Sequence, residues 1–214
     1  KNSYIAWLEE HSVTVQQLCN LIGADFGEAA ECKSRTWGRA EQILVTLPEV
    51  YRGGGLVDFI YASVRARQPH LVLETGVALG FSSRAILEAL DKNDRGFLYS
   101  SDLPYLGEKG SQDFAGLLAR EMGSRRWRFF DRGDQQNLVE IVQLISGDKI
   151  DLVHYDSDKT VRGKRRFFNA INSYLADDCW ILMDDVNDNS YFMELAEEYS
   201  NRKVFTIRHK NSVV

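Results

Sequence analysis

The stretch Leu71–Leu87, "LVLETGVALGFSSRAIL", passes from an apolar run through a glycine-bearing turn into a helical pattern. Three apolar residues in succession, Leu71 to Leu73, suit a strand covered on both faces. Working outward, the same unit recurs. Strands are predicted at "LVLET", "GFLYSSD", "WRFFDRG", "IDLVHYD", "CWILMDD" and "KVFTIRH". Helical spacing lies between them, at "SSRAILEALDK", "SQDFAGLLAREM", "QQNLVEIVQLI", "GKRRFFNAINSYL" and "SYFMELAEEYSN". Strand then helix, repeated, gives βαβ units with right-handed crossovers. The expected fold is therefore α/β, a doubly wound, mostly parallel sheet of the seven-stranded type. "KVFTIRH" and the closing "SVV" should pair as a hairpin and form an antiparallel edge. Residues 1–52 read as an N-terminal helical extension or lid, and 53–214 as the α/β domain, which restarts as a helix after Gly53, Gly54 and Gly55.

A chain of 214 residues is long enough for a substantial core. Its net charge of −5 argues against a dedicated nucleic-acid surface. The basic runs "VRGKRRFF" and "REMGSRRWRFFDR" are then read as solvated faces. Cys19, Cys32 and Cys179 are odd in number and scattered, which fits a reducing cytoplasm and provides no zinc grid. No apolar stretch has the length of a membrane span. Nothing in the sequence decides between a monomer and a homo-oligomer.

In a doubly wound sheet a ligand binds beyond the carboxyl ends of the strands, at the switch point. Gly76 and Gly80 would let the backbone approach it. Their spacing is G-x-x-x-G, not the G-x-G-x-x-G of dinucleotide sites. Glu74, just before the turn, would repel a pyrophosphate and favour a cation. An ammonium and a sulfonium meet that condition, so S-adenosylmethionine is the expected ligand, with Ser82 and Ser83 at the helix start. The alternative is a tight turn capped by Ser82 or Ser83. Asp102 closes the next strand, where a carboxylate can accept ribose hydroxyls, although Asp102 before Leu103-Pro104 also suits a turn. Gly133 and Asp134 follow the third strand and could line an adenine edge or cap a helix.

With Glu74 to Ser83, Asp102, Gly133-Asp134, "IDLVHYDSDK" and "WILMDD" in order, the chain resembles the class I S-adenosylmethionine-dependent methyltransferases. Within them it is similar to the small-molecule O-methyltransferases of the catechol and sugar branch. The resemblance covers about residues 53 to 210. It implies a Rossmann-like domain and a small hydroxylated acceptor, a sugar or natural product. It also implies a magnesium ion on Asp156, Asp184 and Asp185, with Asp156 and Asp158 catalytic and Asp158 the candidate base. One departure stands out: relatives carry D-G-D-H or D-G-D-Y, whereas this chain has Asp156-Ser157-Asp158-Lys159. Lys159 is expected to pair with Asp158, and His154 to be a buried, hydrogen-bonded histidine. Asn187 and Asn189 could assist the metal or form a turn, and Tyr4, Trp7 and Trp37 could cover the acceptor or pack in the core. Rival readings are a nicotinamide oxidoreductase, an RNA or protein methyltransferase, and a cofactor-binding module without catalysis.

Overall fold

The computed structural model of the chain describes residues 2–48, 51, 53–103, 110–199, 203–209 and 212–213. Pro104 and Val214 lie outside the described residues. Helix α1 (Asn2–Glu10) leads through the short strand β1 (Ser12–Val13) into α2 (Val15–Ile22) and α3 (Phe26–Leu44). The caps follow from residue chemistry. Thr14 Oγ1 accepts from the Gln17 amide while Gln17 Oε1 accepts from the Thr14 amide, and Gly23 closes α2 in the left-handed region. On α3, the small residues Ala29, Cys32, Thr36 and Ala40 form a buried stripe, so this helix can lie close to its neighbours.

The alternation then begins: α4 (Val57–Arg67), β2 (Leu71–Thr75), α5 (Phe81–Asn93), β3 (Phe97–Ser101), α6 (Ser111–Phe114), α7 (Leu117–Arg120), β4 (Trp127–Phe130) and α8 (Asp134–Ile145). It continues through β5 (Ile150–Tyr155), α9 (Val161–Ile171), β6 (Leu175–Met183), α10 (Tyr191–Glu198), β7 (Thr206–His209) and β8 (Ser212–Val213). Strands β2 to β6 form one parallel sheet in the order β4–β3–β2–β5–β6. Winding proceeds outward in both directions from β2, which places the switch point between β2 and β5.

The pleat sends alternate residues to opposite cores. Val72, Leu98, Leu152 and Leu182 pack with α3, α4, α5 and α7. Leu71, Leu73, Val153, Tyr155 and Met183 pack with α1, α8, α9 and α10. Both faces are thus covered, as doubly wound sheets require. Residues before position 53 contribute to both cores, through Tyr4 and Leu8 on one side and Cys19, Ala29, Cys32 and Ala40 on the other.

The expected hairpin forms, with Arg208 opposite Val213, but it does not extend the main sheet. β7 instead runs parallel to β1, pairing Ser12 with Thr206 and Val13 with Ile207. Side-chain burial favours this partner: Ile207 packs with Leu18 and Leu56, and Thr206 Oγ1 donates to the Leu8 carbonyl at 2.6 Å. Among the described residues the central sheet therefore has five strands, with the hairpin in a separate sheet of three. One member of the basic runs also departs from expectation. Lys164 is fully buried, because the spacing 164, 167, 168, 171 puts it on the inner face of α9 with Phe167, Phe168 and Ile171. Arg126, Arg132 and Arg165 pair with Asp94, Glu140 and Glu194.

Candidate active site

Register brings the strand ends to one level. Ser101, Thr75, Tyr155 and Met183 are successive partners across β3, β2, β5 and β6. The residues that follow them, Asp102, Gly76, Asp156 and Asp184, therefore stand in a row at the carboxyl edge of the sheet. Backbone bonds carry the ladder one step past the strands: the amides of Gly76, Asp156 and Asp184 donate to the carbonyls of Ser101, Thr75 and Tyr155, each at 3.0 Å. Neighbouring strands are about 5 Å apart, so acids flank a glycine on both sides of the switch point.

That glycine cannot carry a side chain. Gly76 has φ +79°, and a Cβ there would lie 2.0 Å from the Asp156 carbonyl oxygen. Gly80, at φ +94°, would bring a Cβ to 3.0 Å from the Gly116 Cα. Both glycines were expected to make room for a ligand; in the structure they let the chain pass close to itself.

Glu74, Ser82 and Ser83 are not at the mouth of the turn. All are buried, on the face of the sheet that α5 covers. Glu74 Oε2 accepts from Ser83 Oγ and Ser100 Oγ, each at 2.6 Å, and Trp127 Nε1 donates to Ser100 Oγ at 2.9 Å. Ser82 adds a further hydroxyl toward Glu74. Oε1 faces His154 Nδ1 at 3.5 Å, and neither atom has a hydrogen-bond partner among the described residues. Burial opposes charge on both groups, yet their mutual attraction prevails: the Glu74 pKa is held low and that of His154 high. His154 is thus buried, as expected, but its Nδ1 faces a carboxylate rather than making the expected hydrogen bond.

Asp102 does reach the mouth. Its Oδ2 accepts from the Ala78 amide at 3.0 Å and its Oδ1 from the Leu103 amide at 2.9 Å. Burial raises its pKa to about 6 against these two amides, with Glu74 and Asp134 adding to the rise. Each oxygen keeps a second lone pair for a hydroxyl donor. Leu103 is 53% exposed beside Asp102 and lies against Gly133, whose Cβ would meet it at 3.7 Å. An apolar residue directly after a strand-end acid was the available sequence signal. A vicinal diol attached to a flat ring suits this corner. Asp134 is already engaged: Oδ1 accepts from Ser101 Oγ at 2.7 Å and Oδ2 from Ser157 Oγ at 2.5 Å, tying the ends of β3 and β5 together.

On the other side of Gly76, the cluster expected to hold magnesium is arranged differently. Lys159 Nζ contacts Asp156 Oδ1 and lies 2.7 Å from Asp185 Oδ2, rather than pairing with Asp158. Burial opposes the ammonium, but these two acids outweigh it and raise its pKa. Burial, then Asp184, lifts Asp156 to about 6 despite Lys159. Asp184 Oδ1 accepts from the Asp185 amide at 2.8 Å. With Asp185 and Asp156 turned onto the ammonium, no group of three acid, histidine or cysteine side chains among the described residues is set to hold a metal ion. The trio Asp156, Asp184 and Asp185 does not fit magnesium in this arrangement. Asp158 is also placed elsewhere. It is exposed, and Oδ1 accepts from the Thr160 amide and hydroxyl at 2.9 and 2.7 Å, over the start of α9 and against Gly163. Asn189 belongs to the support of the cluster, donating to the Lys159 carbonyl at 2.8 Å.

A small cleft of about 50 Å³, open to solvent, lies beside Asp184. Leu56, Phe59, Ile60, Ile181, Phe192 and Phe205 line it, with His154 and Asp184 as its polar groups. The aromatic residues expected either to cover an acceptor or to pack do pack. Tyr4 donates to the Val186 carbonyl at 2.5 Å, Trp7 meets Phe192 edge-on at 6.0 Å, and Trp37 meets Phe81 at 4.7 Å. No helix among the described residues is long and apolar enough to cross a membrane.

The profile of a methyltransferase-domain family matches residues 73–186, more than half of the chain. No curated protein matches the sequence. Solved structures share the fold. The SAH-bound methyltransferase PaMTH1 of Podospora anserina superimposes with a TM-score of 0.61 at 14% identity, over 86% of this chain and 90% of that one. The O-methyltransferase TomG of Streptomyces achromogenes, involved in tomaymycin synthesis and solved with SAM, gives 0.56 at 15%, over 91% and 87%. An O-methyltransferase of Bacillus cereus in complex with SAH gives 0.53 at 15%, over 92% and 81%.

Proposed function

Because this chain belongs to the methyltransferase-domain family, we propose that it transfers a methyl group from S-adenosylmethionine to a hydroxyl of a small molecule. The observation that carries the reading is the row Asp102–Gly76–Asp156–Asp184, which flanks the switch point with acids on both sides. Relatives in fold, crystallised with SAM or SAH, support the choice of donor. When bound, S-adenosylmethionine supplies a methyl carbon already activated by its sulfonium.

The chain's own residues then have to bind, align and accept a proton. Asp102 would accept the ribose hydroxyls, and Leu103 would lie against the adenine. The acidic row would attract the cationic methionyl end. Asp184, on the wall of the cleft, would receive the acceptor's proton. As that O–H bond breaks, its oxygen forms the new C–O bond, the C–S bond breaks, and its electron pair stays on sulfur. The apolar walls favour an acceptor with a hydrophobic body over a bare sugar. Tyr4 anchors the Val186 turn beside this cleft, so the extension 1–52 would help to shape the acceptor side.

Calorimetry with S-adenosylhomocysteine and, separately, with NAD tests the proposal. Binding of the first and not the second is expected. Tight binding of NAD, with no heat from S-adenosylhomocysteine, would put the chain in another enzyme class.

A further inference from the structure

We propose that the Lys159 ammonium is the resident cation of the acidic row, holding the place a divalent ion would take, and that this site works without a metal. The proposal rests on the methyl-transfer reading for its purpose, but not for its geometry.

Charge balance comes first. Asp156 and Asp184 end adjacent strands, and Asp185 follows directly, so three carboxylates share a small volume. Such a group needs a counter-charge. Lys159 supplies one at contact distance to Asp156 and at 2.7 Å from Asp185. The tether is short, three residues from Asp156 within the turn between β5 and α9, and its backbone is pinned from several directions. Asn189 donates to the Lys159 carbonyl at 2.8 Å, and the Tyr155 hydroxyl to the Asp158 carbonyl at 2.8 Å. Asp158 closes on Thr160, as described above. A cation fixed in this way has a high local concentration that a dissolved ion must overcome.

The donor set also opposes a divalent ion. Magnesium demands near-octahedral oxygen coordination and gives up water reluctantly. Here Asp185 sits in the left-handed region at φ +49°, with a carboxylate oxygen on the ammonium. Behind it, the buried Lys164 places a second ammonium nitrogen 3.4 Å from the Asp185 carbonyl. A doubly charged ion entering this corner would meet the fixed Lys159 ammonium and, behind it, an amine whose pKa burial lowers. An ammonium has three N–H donors. Asp156 and Asp185 account for two, and the third can orient an acceptor oxygen. Asp158 thus shapes the turn that carries Lys159, and the lysine that departs from the family pattern becomes the functional difference.

The probe is Mn²⁺, whose free ion is read by electron paramagnetic resonance, on the full chain with S-adenosylhomocysteine calorimetry in parallel. Wild type should leave the free Mn²⁺ signal unchanged, as should Lys159→Arg. Lys159→Met, which removes the charge and keeps the length, should bind Mn²⁺ at least about tenfold more tightly than wild type. Mn²⁺ binding by wild type as tight as by Lys159→Met would overturn the proposal, and so would absence of any gain in the variant. If Lys159→Met does not fold, Lys159→Gln serves, and the wild-type arm is decisive by itself when it binds the ion. Loss of S-adenosylhomocysteine binding in wild type would instead strike the methyl-transfer reading and leave the Mn²⁺ comparison standing.

Discussion

One acid and a row of acids lie within a few residues of one another along the strands, in opposite surroundings. Below the glycine turn, Glu74 is sealed among Ser83, Ser100 and His154. At the strand ends, Asp102, Asp156 and Asp184 stand where the ladder runs out and the chain opens. The residue type is nearly the same in both places. Position along the pleat decides the difference. Glu74 shares the face of Val72 and is covered by α5, whereas Asp102 lies one residue past the end of β3. An acid before a glycine turn can therefore brace the turn from inside.

The sharpest way to break this contrast is to remove the inner acid. Glu74→Leu leaves His154 without its counter-charge and two serine hydroxyls without their acceptor. Breaking one side of a buried pair costs about 3–5 kcal/mol, so urea unfolding should show a loss of that size. Replacing both partners, as Glu74→Leu with His154→Leu, should cost less than the sum of the single changes. Whatever protein remains folded should bind S-adenosylhomocysteine nearly as wild type does. A stable Glu74→Leu that loses the ligand would move Glu74 into the binding site and erase the distinction.

Much of this was legible before any coordinates, for definable reasons. Apolar runs ending in acids located the five central strands and their carboxyl ends, most clearly β2 and β5, where burial on both faces leaves a continuous signal. The strand-end positions of Asp102, Asp156 and Asp184 followed from that, whereas their row around Gly76 needed the strand order and register. Which way a side chain turns was less accessible, since it depends on what the next element offers. Asp158 turns to Thr160, and an acid two residues before a helix-capping threonine is a readable cue that Lys159 would seek other partners. The burial of Lys164 was readable too, from its helical spacing with Phe167, Phe168 and Ile171. The pairing of β7 with β1 was not. It joins segments nearly two hundred residues apart, and no local pattern records that Ile207 fits beside Leu18 and Leu56.

Of intermediate size should be the effect of changing the outer acid. Asp102→Asn keeps the shape but removes the charge from the hydrogen bonds proposed for a ribose. Bonds to a charged acceptor contribute about 1.5–3 kcal/mol, so affinity for S-adenosylhomocysteine should fall roughly ten- to a hundredfold. The same group sets a pH dependence. With its pKa raised to about 6 in the free protein, Asp102 loses its charge as pH drops through that value, and wild-type affinity should decline there. For folding the sign is reversed. The folded state holds this proton more tightly than the unfolded chain, so the stabilisation is full below the ordinary aspartate range and is lost as pH rises through about 6. Calorimetric titrations across pH should show the binding step in wild type and not in Asp102→Asn. An identical profile in both would remove Asp102 from the ligand.

The smallest effect probes how far the outer region extends. Tyr4, on α1, reaches the Val186 carbonyl just beyond the Asp184-Asp185 pair, linking the N-terminal helix to the end of the row proposed to face the acceptor. Tyr4→Phe removes one buried hydrogen bond and should cost about 1 kcal/mol, a fall of roughly 2–4 °C in Tm for a chain of this size. Amide exchange through residues 184–188 should quicken, because that turn loses an anchor. Affinity for S-adenosylhomocysteine should stay within about twofold, since the bond lies on the far side of Gly76 from Asp102. If it fell as far as in Asp102→Asn, the donor and acceptor halves of the row would be mechanically one, and the N-terminal helix would belong to both.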